Sequence, residues 1–226
     1  MLRNKSIIKH LKIAASRKLT DYAKIQLFWS SVIRNKKVQL RHINTEEIKY
    51  LNLGCGKKIH KNFINLDFKW RPGIDLCWDI RRNIPLPDNS MLGIYTEHCL
   101  EHVSFNECQR AISDFHRILK INGVLRIVLP DGGLYLDLYN KSRTEKNVVF
   151  PYPVFDKEML PMMYINRVFY EPDHKFLYDY ETLSLLLERA GFINIRKTAF
   201  REGKDKNLLI DNEHYKVESL YVEADA

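Results

Sequence analysis

The run Tyr50-Leu51-Asn52-Leu53-Gly54-Cys55-Gly56 ends an apolar strand in Gly-x-Gly, and after ten further residues a second apolar run closes on an acid, Asp67. Glycine accepts positive φ and carries no Cβ, so a chain that turns at Gly54 and Gly56 lies close against whatever binds there. A carboxylate at the end of the next strand accepts two hydrogen bonds from ribose hydroxyls. Together they suit a cofactor carrying an adenosine. The third glycine of the dinucleotide fingerprint is missing, with Ile59 in its place, which counts against a dinucleotide. A plain tight turn after a buried strand explains the glycines equally well, so the rest of the chain must decide.

A second group is the string His98-Cys99-Leu100-Glu101-His102. Histidine titrates near neutrality and suits a general base. His-x-x-Glu-His is also the spacing of inverted zinc peptidases, whose chemistry needs both imidazoles on one helical face. Here the string directly follows a strand and the next helix begins only at Ser104. Its histidines therefore fall in a loop or a single turn, and no metal site is expected. The four cysteines, Cys55, Cys77, Cys99 and Cys108, form no Cys-x-x-Cys pair and sit in apolar strings, as buried thiols do.

These residues need a scaffold, and from residue 48 onward strands and helices alternate as in an α/β domain with a mostly parallel sheet. Strands are predicted at 48–53, 63–67, 74–78, 92–96, 124–129, 193–198 and 217–222. One helix opens with the capping box Ser104 and Glu107, places Cys108, Ala111, Phe115 and Leu119 on one face, and is predicted to stop at Asn122-Gly123. Another starts after Asp179, runs through Leu183, Leu186, Leu187 and Ala190, and ends at Gly191. Ligands of an open parallel sheet bind beyond the carboxyl ends of its strands. Five successive strand ends carry Gly54 and Gly56, Asp67, Asp79, Glu97 with His98, and Pro130 with Asp131. Helix capping accounts for one or two of these acids, but not for the whole rim.

The chain has 226 residues, 45% of them hydrophobic, which suits one packed domain with an appendage. Its charge is uneven: residues 1–44 hold eleven Lys and Arg against the single acid Asp21, while the remainder holds 25 bases against 27 acids. The division expected is a basic helical N-terminal arm over 1–44 and a domain over 45–226. The arm reads as two helices, one around Ile7, Ile8, Leu11 and Ala15, and one capped by Thr20 or Asp21 with a stripe of Tyr22, Ile25, Trp29 and Val32. Docking on its own domain, lying on an anionic membrane and touching a polyanion are all open to it. No apolar run approaches bilayer length and no leader pattern precedes the arm, so a cytoplasmic protein is expected, with peripheral contact at the inner membrane face left open.

Gly54-Cys55-Gly56, Asp67, the Trp78-Asp79-Ile80 step, the run Ile84-Pro85-Leu86-Pro87-Asp88-Asn89-Ser90, the string Glu97 to His102 and Arg117-Ile118-Leu119-Lys120 before Gly123 resemble class I S-adenosylmethionine-dependent methyltransferases. Within these they are similar to predicted methyltransferases associated with bacterial surface-polysaccharide biosynthesis. The likeness continues through His174-Lys175, Tyr178-Asp179 and Glu218-Ser219-Leu220-Tyr221-Val222-Glu223-Ala224, covers roughly residues 48–224 and leaves the arm outside.

The resemblance implies a Rossmann-like, seven-stranded, mostly parallel sheet with helices on both faces, and S-adenosyl-L-methionine as cofactor. It implies a cofactor set of Gly54, Cys55, Gly56, Asp67, Asp79, Ile80 and Glu97, in which Asp67 holds the ribose and Asp79 with the Ile80 backbone reads the adenine. The ten residues between Gly56 and Asp67 leave no room for a full crossover helix, so Lys57 or Lys58 would have to supply charge for the cofactor carboxylate. His98 is the implied base, with Glu101 and His102 orienting it or bonding the acceptor, His174 as a second candidate base, and Asp131 binding acceptor hydroxyls. The aromatic-rich insert at about 134–178 would build the acceptor pocket. The function implied is O-methylation of a sugar hydroxyl on a glycan, nucleotide sugar or lipid-linked intermediate. RNA or protein methylation anchored by the arm, and a noncatalytic cofactor-binding module, are the alternatives. A nucleic-acid partner is not expected, because no aromatic-and-basic binding motif is present.

Overall fold

The computed structural model describes residues 21–152, 159–170 and 173–226. The helix expected around Ile7 to Ala15 lies outside them. The chain runs from helix α1 (Asp21–Ile33) through a 3-10 turn (Lys37–His42) into strands β1 (Tyr50–Leu53), β2 (Phe63–Asp67), β3 (Leu76–Cys77) and β4 (Met91–Glu97). A 3-10 turn at Leu100–His102 leads to α2 (Phe105–Ile118), β5 (Leu119–Pro130), α3 (Gly132–Lys141), α4 (Pro161–Tyr170), α5 (Tyr180–Arg189), β6 (Ile193–Lys197) and β7 (Ser219–Asp225). The seven strands form one sheet in the order β3-β2-β1-β4-β5-β7-β6. Strands β1 to β5 are mutually parallel, and β7 inserts antiparallel between β5 and β6.

Side chains alternate across a strand, which sorts the sheet into two faces. Leu51, Leu53, Ile64, Leu66, Ile94, Leu125, Ile127, Leu129, Leu220 and Val222 pack under α2 and α5 through Ala111, Ile112, Phe115, Leu183, Leu186 and Leu187. The opposite face carries Phe63, Tyr95, Val124, Val128 and Tyr221 and is covered by Phe200, Leu208 and Ile210. Among the described residues this second face is covered by the segment 198–218 with two 3-10 turns, and at its β3 end Cys77 packs against Ile33 of α1. Arg126 fastens that segment: fully buried, its guanidinium donates to Asp211 at 2.8 and 2.5 Å, to Glu223 at 3.1 Å and to the Ala199 and Glu202 carbonyls.

Several boundaries move, two of them for reasons the structure shows. Helix α2 ends at Ile118 rather than Asn122-Gly123, because Leu119 turns extended and pairs with Met91, and the left-handed residue is Asn122 (φ +65°) inside the strand's first bend. The third strand shrinks from 74–78 to Leu76–Cys77, since Asp75 turns its carboxylate back onto the Asn65 amide at 2.7 Å. The capping box is present: the Ser104 amide and hydroxyl both donate to Glu107. Asp179 caps α5 by accepting from the Thr182 amide at 2.8 Å. Residues 54–62 hold turns and no helix, as the short link to Asp67 requires.

Arg117 and Asp114 explain the proline-rich run. Arg117 donates to the Ile84 and Leu86 carbonyls and to Asp88, while Asp114 accepts from the Ile84 amide at 2.6 Å. That part of the resemblance is structural.

Residues of the expected arm hydrogen-bond to the domain. Asn35 Oδ1 accepts from the Asp79 amide at 2.9 Å, Gln39 Oε1 accepts from the Cys77 amide at 2.7 Å, and the Trp70 amide donates to buried Ser30 Oγ at 2.7 Å. These polar hooks turn α1 so that Ser30 faces inward, and the expected apolar stripe faces outward at Ile25 and Trp29, beside Phe28.

Candidate active site

The glycine turn begins the rim. Gly54 (φ +67°) and Gly56 (φ +57°) hold left-handed backbone. A Cβ on Gly54 would sit 2.5 Å from Cys99 Sγ, so the turn lies tight against the end of β4. At Gly56 nothing approaches the same position closer than 3.9 Å, which leaves an open cradle. Asp67 stands beside it, its Oδ2 accepting from the Gly56 amide at 2.8 Å and its Oδ1 from the Lys69 amide at 2.7 Å. A carboxylate has about four lone-pair sites, so both oxygens keep a free acceptor position. Asp79 lies past β3, gripped by Arg81 at 2.8 and 2.6 Å. Burial opposes ionisation of Asp79, yet the Arg81 hydrogen bonds hold it below the usual carboxylate range. Ile80 packs beside it against the core.

Burial pushes the Cys55 thiol up to about 12, so it is inert packing within the turn. Glu97 is more occupied than expected: one oxygen pairs with Lys58 and the other accepts from the Asn212 amide at 2.7 Å. Lys58 is thus held by Glu97.

Beyond β4 lies a cavity of about 290 Å³ lined by His98, Glu101, His102, Tyr152, Arg167, Val168, His174, His214, Tyr215 and Glu218. His98 has left-handed backbone (φ +48°), a strained state that active sites tolerate. Its ring stacks on Tyr215 at 3.9 Å between centroids, with Nε2 at 2.9 Å from Ser219 Oγ and Nδ1 at 3.5 Å from Glu101 Oε1. Burial, then the neighbouring His174 and His102, drives its pKa down to about 3. Glu101 is fully buried on the 3-10 turn, and burial pushes it up to about 8. His174 donates from Nδ1 to the Val168 carbonyl at 2.6 Å and turns Nε2 toward Glu101 at 3.9 Å. His102 meets His174 edge-on at 5.0 Å. Burial lowers the pKa of both.

The structure therefore brings His98, Glu101, His102 and His174 together although 71 positions separate the last two. It does not bring Asp131 to them. Asp131 caps α3 by accepting from the Leu134 amide at 3.1 Å and reaches Lys197 at 3.4 Å. The helix that opens the insert needs that cap, and the carboxylate is turned to serve it. The insert is partly a satellite core, with Tyr135, Phe150, Ile165 and Val168 buried together, while Tyr152 reaches the cavity. Tyr215 and Ser219, which fix the His98 ring, were not singled out by sequence reasoning. Ser219 lies in the terminal string of the resemblance without a role, and Tyr215 had no signal. A second cavity of about 440 Å³ opens by Lys49, His60 and Asn207, residues at or before the amino ends of β1 and β2 or in the covering segment.

Residues 51–127 match the model of a family described as a methyltransferase domain. The match runs from β1 into β5 and spans the glycine turn, Asp67, Asp79 and the His98 to His102 string. With the sheet order above, this makes the span an enzyme domain of the Rossmann-like methyltransferase fold, with S-adenosyl-L-methionine as its cofactor. Among solved structures, a SAM-dependent methyltransferase from Archaeoglobus fulgidus is similar over 84% of this chain and 92% of that one at 18% identity, TM-score 0.48. Another from Thermotoga maritima is similar over 97% and 98% at 17% identity, TM-score 0.47. No curated protein matches the chain. The residues present fit the cofactor, since the open cradle at Gly56 adjoins an acid with free acceptor sites.

Proposed function

We propose that the chain methylates a sugar hydroxyl of a glycan, a nucleotide sugar or a lipid-linked intermediate. The observation that carries this reading is the cavity beyond β4, where four imidazoles and two tyrosine rings stand beside Glu101, Glu218 and Arg167. Aromatic faces suit the C–H faces of a sugar ring, and the polar groups suit its hydroxyls.

In this reading Gly54, Cys55 and Gly56 form the cofactor cradle, Asp67 takes the ribose hydroxyls, Asp79 with the Ile80 backbone takes the adenine edge, and Glu97 flanks the methionine part. The bound cofactor supplies a methyl group already activated on a sulfonium. What remains for the chain is to align the acceptor oxygen and take its proton. His98 is neutral at pH 7 because burial disfavours its cation, so it has a lone pair to offer. The stack on Tyr215 fixes its ring plane, and Glu101, 3.5 Å from Nδ1, steadies the imidazolium once the proton arrives. His174 is the second candidate acceptor of that proton. A lipid-linked acceptor would also account for an arm whose exposed Ile25, Phe28 and Trp29 adjoin Arg34, Lys36 and Lys37.

The test is transfer of labelled methyl groups to a panel of nucleotide sugars and extracted glycolipids, with RNA and protein as further arms. Label is expected in an O-methyl sugar, and His98→Ala should lower kcat by about 10²-fold or more while cofactor affinity holds. Label entering only RNA or protein would overturn the assignment of acceptor.

A further inference from the structure

Glu101 is the anomaly of the cavity. Its side chain is fully buried, and neither carboxylate oxygen has a hydrogen-bond partner among the described residues. Buried carboxylates are kept by a partner, by hydrogen bonds or by a metal ion. Among the described residues no arginine or lysine answers this one: Arg167 is spent on the Tyr135 hydroxyl and the Pro151 carbonyl, and Lys58 on Glu97. The groups that do converge on it are imidazoles. A Glu101 oxygen, a His102 ring nitrogen and a His174 ring nitrogen all lie within 4.8 Å of one another.

His174 adds the decisive detail. The Val168 carbonyl can only accept, so the ring proton sits on Nδ1, and the bare lone pair of Nε2 points at Glu101. That is how metal-binding histidines are braced, with one nitrogen tied to a carbonyl and the other free for the ion. His98, with its ring edges at Ser219 and Glu101, stands next to this group as a neighbour.

We propose that Glu101, His102 and His174 bind a divalent first-row transition-metal ion at the floor of the cavity. Two imidazoles and one carboxylate form a ligand set such ions accept with positions left open, here facing the cavity. Ligands about 2.0–2.2 Å from a shared ion stand somewhat closer together than these atoms do, so side-chain rotation closes the site on the ion. The inverted zinc-peptidase arrangement is not involved, because His98 and His102 do not share a helical face. The ion's role rests on the cavity being the acceptor site: there it would hold the acceptor oxygen and favour loss of its proton to His98.

The experiment titrates metal-free, untagged full-length protein with Co²⁺ alone and with Zn²⁺ alone, without cofactor or acceptor. The expected result is about one equivalent of Co²⁺ with a visible absorption band, displaced by Zn²⁺. Glu101→Gln and His174→Ala should each weaken binding by about tenfold or more, whereas His214→Ala, in the same cavity, should not. Glu101→Gln keeps the size and shape of the buried side chain and is expected to fold, so a melting curve on each variant separates lost ligation from lost structure. No Co²⁺ uptake at millimolar ion, or uptake unchanged in both ligand variants, overturns the site. S-adenosylmethionine binding is measured on the same preparations. Cofactor binding without metal uptake contradicts the metal site alone, whereas metal uptake without cofactor binding contradicts the methyltransferase reading and supports the site.

Discussion

At the scale of single residues, the site is a matter of which atoms fit into very little space. Gly54 is the clearest case, because an added Cβ meets Cys99 Sγ at 2.5 Å and Cβ at 2.7 Å, at a φ that side chains resist. Gly54→Ala should cost about 1–3 kcal/mol, measured by denaturant unfolding, and should weaken cofactor affinity through the displaced turn. Strand-end chemistry was legible because a parallel sheet puts consecutive strand ends on one rim whatever the side chains do afterwards. Gly56 and Asp67 meet there as the sequence implied. Orientation was not legible. Asp131 serves a helix, Glu97 holds Lys58, and the lone pair of His174 is aimed by a carbonyl six positions away in the chain. Those choices depend on partners that become neighbours only on folding.

At the scale of elements, helix starts were legible because capping is a local code, and helix α2 opens at its Ser104 and Glu107 box. Its end was not, because Leu119 fits a helical face and a strand edge equally well, and pairing with Met91 decides the matter. Helix α5 offers a test with a pH signature. Asp179 is held below the usual carboxylate range by its bond to Thr182. A depressed folded value stabilises the protein above the unfolded value of about 3.9 and is lost as pH falls through the folded one. Asp179→Ala should therefore cost about 1 kcal/mol at neutral pH, with melting curves of variant and parent converging as the solution is acidified below about pH 4.

At the scale of the whole molecule, the two faces of the sheet are closed by different means. One face is covered by α2 and α5, and most of the other is sealed by the segment 198–218 drawn down onto Arg126. The hydrophobic pattern announced the first face; the second depends on a buried ion pair between Arg126 and Asp211, 85 positions apart, which no periodicity shows. The N-terminal segment is likewise fastened by Asn35 and Gln39 at β3, while α1 shows Phe28 and Trp29 to solvent. None of the helices among the described residues is long and apolar enough to cross a bilayer. If the arm serves a membrane surface, Phe28→Ser with Trp29→Ser should weaken sedimentation with anionic vesicles by about tenfold while leaving the melting temperature within a few degrees. Equal sedimentation would assign those side chains another role. The central claim is that the rim opened by Gly54-Cys55-Gly56 and continued by Asp67 is a methyl-donor cradle, and calorimetric titration with S-adenosylmethionine tests it most directly. The parent should bind about one equivalent with a Kd near the micromolar range, and Asp67→Ala should bind at least about tenfold more weakly; no heat at millimolar cofactor, or unchanged affinity in Asp67→Ala, would contradict it.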